Sequence, residues 1–183
     1  HYGAQYAWFA ALAMIPLAQV VAIEFTMPIW TILLAAAFLG ERITRWKLLA
    51  VALGLLGVGL VVRPDAAGLS AGQLVALAAA VGVAVSVILT KSLTRTDSAL
   101  TIIFWMLVIQ SLLGLIPALV VWRWPSATVW FWMLIVAFCG TYAHYCLANA
   151  MRHADATTIV PMDFLRVPLT AGAGWLVYSE RID

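Results

Sequence analysis

The chain repeats itself. Shifted by 139 residues without a gap, Glu24-Phe25 falls on Asp163-Phe164, Thr31 on Thr170, and Glu41-Arg42-Ile43 on Glu180-Arg181-Ile182. The same register puts Tyr6 on Tyr145, Ala11 on Ala150 and Val21 on Val160. A duplication constrains the fold more than any single motif, because both copies must adopt one architecture and bury their apolar faces together. It also sets an acid at the same point of an apolar run in each copy.

The composition fixes the solvent in which that repeat folds. The chain is 65% hydrophobic and 10% charged, against about 25% charged in ordinary soluble domains. It reads as an all-α polytopic membrane protein, and its unit is the spanning helix of about 20 residues. Seven apolar segments follow in order: about Tyr2 to Pro16, Leu17 to Leu39, Leu48 to Val62, Gln73 to Thr90, Leu100 to Val121, Val129 to Met151 and Ala156 to Tyr178. A net charge of +2 with no basic tract gives no hold for nucleic acid. Cys139 and Cys146 lie seven residues apart, about 10 Å along a helix axis, too far to pair with each other.

The repeat predicts two copies of five helices, with seven spans in this chain and three outside it. The boundary falls in the Arg63 to Gly72 linker, so residues 1–65 form the end of the first repeat and 66–183 the second. The turns after the second, fourth and sixth segments hold six Lys and Arg, against three after the third, fifth and seventh. The richer set belongs in the cytoplasm. Equivalent helices stand five spans apart, an odd number, so the copies are predicted to be inverted in the membrane. Inverted repeats are the architecture of alternating-access carriers, with the site near the midplane between them.

Pro28 with Gly40-Glu41-Arg42 after an apolar run, then a Gly-rich helix ending Val-Val-Arg-Pro, resembles the EamA-type branch of the drug/metabolite transporter superfamily. Ala156 through Pro161, Arg166-Val-Pro168 and Ser179-Glu180 resemble that family's second half, although Ser179 stands where the family usually has glycine. The resemblance implies a bundle of ten helices in two inverted repeats. It further implies transport of small organic metabolites, such as amino acids or related compounds, across the inner membrane without a cofactor.

Few residues are candidates for chemistry. Glu24 lies about 9 Å along its helix, and a charge deep in the bilayer is costly enough that it normally faces the bundle interior or a cavity. Burial favours the protonated form of a carboxyl, which suits proton coupling; the competing reading is an acid that snorkels to the headgroups. Asp163 is the repeat partner of Glu24, and Arg166 is one turn further on the same face. Those two form either a self-neutralising structural pair or a pair that opens for a zwitterionic or anionic substrate. Pro28, Pro161 and Pro168 are candidate hinges or plain packing kinks.

The remaining features read as structural. His144 is expected to be a hydrogen-bonded structural group, and Glu41 and Glu180 interfacial anchors. Ala78, Gly82 and Ser86 read as a packing stripe, as do Ala50, Gly54, Gly57 and Gly59. Trp122, Trp124, Trp130 and Trp132 read as an interfacial belt, with an aromatic cage as the other reading. No set of acids, His or Cys has the spacing of a metal site or a nucleophile with its base, which excludes the usual embedded enzymes. A facilitative channel would need a continuous polar lining that these segments lack. A non-transporting membrane protein would leave the duplicated acid without a role.

Overall fold

Apolar runs punctuated by Ser, Pro and Gly fold as helices. The computed structural model describes residues 1–62 and 70–165. Its elements are α1 (Tyr2–Leu12), α2 (Leu17–Glu24), α3 (Met27–Leu34) with a π turn (Ala35–Leu39), α4 (Arg45–Val62), α5 (Ala71–Leu93), α6 (Ala99–Val120), α7 (Ala127–His153) and α8 (Ala156–Ile159), which runs into a 3-10 turn (Val160–Leu165). No strand occurs among the described residues. Four stretches are long and apolar enough to cross a membrane: Gln19–Leu39, Ala71–Leu93, Ala99–Val120 and Ala127–His153.

Local chemistry sets the helix starts. Ser70 and Gln73 form a reciprocal capping box at α5, with Gln73 N donating to Ser70 Oγ (3.3 Å) and Ser70 N to Gln73 Oε1 (2.8 Å). Ser98 Oγ accepts from Thr101 N at α6, and Ser126 Oγ from Val129 N at α7. These bonds satisfy donors that the first turn of a helix leaves open.

Two compact units are distinguished. One is Gly3–Ile88 with Asp155–Asp183, and the other is Leu89–Ala154. In the first, Ala11, Val20, Ile23 and Ala76 make a core to which Trp8, Leu12 and Ile15 add. Small side chains there let helices approach closely, as packing within lipid requires. The buried face of α5 is Gly72, Ala76, Ala79, Ala80, Ala84, Val87 and Ile88. The expected stripe is thus corrected: Ala78 faces outward, while Gly82 does pack, against α1. Ala50, Gly54, Gly57 and Gly59 of the other expected stripe lie in α4.

A Cβ added to Gly82 would stand 2.8 Å from Ala4 Cβ and 3.5 Å from Ala4 Cα. Gly82→Ala is therefore expected to cost about 1–3 kcal/mol by overpacking, seen as a lower thermal midpoint in detergent. Gly140→Ala in α7, where an added Cβ meets nothing within 4 Å, is the control and should be neutral or stabilising.

In the second unit α6 and α7 pack through Ala99, Ile103 and Ala148, with Met106 and Tyr145 around them. Lys91 Nζ donates to Met151 O (2.6 Å) and Ala154 O (2.8 Å), so an ammonium group satisfies carbonyls at the C-terminus of α7. His144 Nδ1 pairs with Gly140 O at 2.8 Å, the structural role expected for it. Cys139 and Cys146 are free and exposed. Trp124, Trp130, Phe131 and Trp132 are exposed.

Candidate substrate site at a broken helix

The second apolar segment departs from expectation in a way that builds a site. The sequence suggested one helix kinked at Pro28, but α2 stops at Glu24 and α3 starts afresh at Met27. Thr26 explains the stop: its N and its Oγ1 both donate to Ile23 O, at 2.9 and 2.7 Å. Pro28 is the second residue of α3, where its missing N–H would have had no partner within the helix. Proline thus opens a helix here, and the break lies directly after the acid.

The side chains at the break converge. Trp8 Nε1 donates to Glu24 Oε2 at 2.9 Å, tying the carboxylate to α1. Trp30 Nε1 donates to Thr26 Oγ1 at 3.3 Å. Phe25 stacks on Phe164, with ring centroids 5.6 Å apart and planes 21° apart. These two phenylalanines occupy equivalent positions in the sequence repeat, each directly after its acid, Glu24 or Asp163. Glu24, Phe25, Asp163 and Phe164 are all half-buried. One turn into α3, Thr31 is fully buried, and among the described residues its Oγ1 has no hydrogen-bond partner.

Asp163 and Pro161 both lie in the 3-10 turn Val160–Leu165. Of the remaining candidates, Arg166 and Pro168 lie outside the described residues, as does Glu180. α2 begins at Leu17 and α8 at Ala156.

Glu41 does more than anchor a turn. The π turn ends on Gly40 at φ 68°, a left-handed conformation in which glycine is least strained, and Glu41 N returns to Ala35 O at 3.3 Å. The reversal directs the Glu41 carboxylate onto the first residues of α8. Ala156 N donates to Oε1 (3.0 Å), Thr157 N to Oε2 (2.9 Å) and Thr157 Oγ1 to Oε2 (2.7 Å). Lys47 Nζ donates to Thr157 Oγ1 and to Arg42 O, and lies 3.8 Å from Asp155 Oδ2. A carboxylate at a helix N-terminus meets both open donors and the positive end of the dipole. The sequence signal was present in Gly40-Glu41, but nothing local names a partner 115 residues away.

Among the described residues no group of three His, Cys, Asp or Glu is placed to hold a metal. The family model of the EamA-like transporter family matches residues 2–63 and 70–183. The chain is similar to a riboflavin transporter of Rhizobium johnstonii, 32% identical over 94% of this chain and 58% of that protein. It is also similar to an S-adenosylmethionine uptake transporter of Rickettsia prowazekii, 23% identical over 96% of this chain and 60% of that protein. The chain thus spans about three fifths of these relatives' length. A solved crystal structure superposes with a TM-score of 0.83 at 18% identity, covering 100% of this chain and 66% of that one, which shows a shared fold.

Proposed function

The chain belongs to the EamA-like transporter family, and from that premise we propose that it acts in a secondary carrier moving a small polar organic metabolite by alternating access. The observation that carries this reading is the helix break holding Glu24, with Phe25 stacked on Phe164 across it. Discontinuous helices near the midplane are where carriers place substrate and coupling ion. The duplicated acids and the inverted five-helix copies belong to this proposal, as does placement in a bacterial inner membrane.

In the finer reading the cargo is an amino acid or related compound bearing a flat ring, coupled to protons through Glu24. Riboflavin and S-adenosylmethionine, named for the relatives, both contain a fused heteroaromatic ring, and S-adenosylmethionine also has an amino-acid head. Phe25 and Phe164 offer stacking faces, while Thr31 offers a buried hydroxyl. Asp163 with Arg166 would hold a charged head, and Pro28, Pro161 and Pro168 would act as hinges.

The test is counterflow of labelled riboflavin, S-adenosylmethionine and amino acids in proteoliposomes of the full-length protein. Saturable exchange of at least one is expected, whereas flux that rises without saturation would mean a channel. For a ring-bearing cargo, Phe25→Leu and Phe164→Leu should each raise KM about tenfold, the worth of one aromatic stacking contact. An unchanged KM would remove the pair from the site.

A further inference from the structure

We infer that Glu41 is the latch of a gate: its grip on the first turn of α8 holds one membrane face of the carrier closed, and its release opens that face. The inference rests on the carrier reading above and concerns a residue pair outside the substrate site.

Three observations support it. The grip joins the turn after α3 to the start of α8, which leads into the 3-10 turn bearing Asp163 and Phe164. The turn after α3 and the start of α8 are therefore tied by the Glu41 carboxylate, with Lys47 beside it. Both Glu41 oxygens are used, the Thr157 hydroxyl donates to Glu41 while accepting from Lys47, and Thr157 and Ala156 are fully buried. Finally, the anchor is turned into place by Gly40 in its left-handed conformation, so the carboxylate is set by the backbone of its own turn.

Such a contact is a two-state element. Made, it satisfies the open N–H groups of α8; broken, those groups need water, which reaches them only if the two elements part. Charge-assisted hydrogen bonds of this kind each bias an equilibrium by about tenfold or more. Among the described residues, the groups facing the carboxylate include the Ala156 and Thr157 amides, the Thr157 hydroxyl and the Lys47 ammonium, with Asp155 beside that ammonium. Lys47 keeps the Thr157 hydroxyl pointed at Glu41 by occupying its acceptor side.

The experiment uses the full-length protein with Cys139 and Cys146 replaced by Ser and a reporter, Val160→Cys, one turn beyond the latch, where Val160 is 3% exposed. A membrane-impermeant maleimide is applied to each face of oriented vesicles in turn. Glu41→Gln should raise reporter labelling about tenfold from the latch face only. Thr157→Val, which keeps the backbone donors, should raise it by a smaller factor with the same sidedness. Equal labelling of parent and variants, or a rise from both faces, would overturn the latch and leave Glu41 a structural cap. Counterflow on the same vesicles separates the two ideas. Absence of saturable exchange in the parent would sink the carrier reading, and one-sided labelling would still test the latch.

Discussion

Glu24→Gln is expected to lower cargo-driven proton movement by about two orders of magnitude, equivalent to about 2.7 kcal/mol, while leaving the fold intact. Glutamine keeps the shape of the side chain and an oxygen able to accept from Trp8 Nε1 at the 2.9 Å position. It cannot exchange a proton. Loss of coupling with retained binding then separates proton exchange from cargo binding. The measurement is internal pH of proteoliposomes during cargo addition, run beside labelled exchange. Proton movement at the parent rate would make Glu24 a structural residue, bonded to Trp8. Thr31→Val complements it: removing a buried hydroxyl with no partner among the described residues should stabilise the fold by about 1 kcal/mol, and a carrier that uses that hydroxyl should lose affinity for cargo.

Glu41→Ala is expected to be the most destabilising substitution on the described surface of the first unit, by about 3 kcal/mol. Loss of a helix cap costs about 0.5–2 kcal/mol, and here the Ala156 and Thr157 donors are fully buried, which adds about 1–3 kcal/mol for groups left without an acceptor. Lys47 would in addition face Thr157 with no carboxylate behind it. Thermal unfolding in detergent checks this, with Glu41→Gln expected to lose about half as much because one acceptor oxygen remains. A midpoint unchanged by Glu41→Ala would mean that water replaces the carboxylate freely, and the contact would then be weak.

Helix identity was legible because lipid imposes one rule: every backbone polar group must be satisfied within its own segment. The lengths of apolar runs therefore translate directly into α5, α6 and α7, each within a few residues of the expected span. The position of the acid was legible too, since Glu24 stands out in an apolar run and recurs as Asp163. What the sequence concealed was the consequence of Thr26. A threonine three residues beyond Ile23 is ordinary in a helix, and only its double bond to the Ile23 carbonyl shows that the helix ends there. The face of α5 was misread at Ala78 because a run rich in small residues has almost no amphipathic contrast. The partner of Glu41 was hidden for a different reason: a long-range cap has no periodicity.

Lys91 has a consequence for how the chain enters the membrane. Its ammonium meets carbonyls of Met151 and Ala154, so the polypeptide leaves from and returns to one point after 63 residues. Only an even number of crossings closes that ring, and α6 and α7 supply two. A chain in which α7 failed to insert after α6 would strand Lys91 and its acceptors on opposite sides of the bilayer. The contact therefore ties the two ends of the α6–α7 hairpin together on one side of the bilayer.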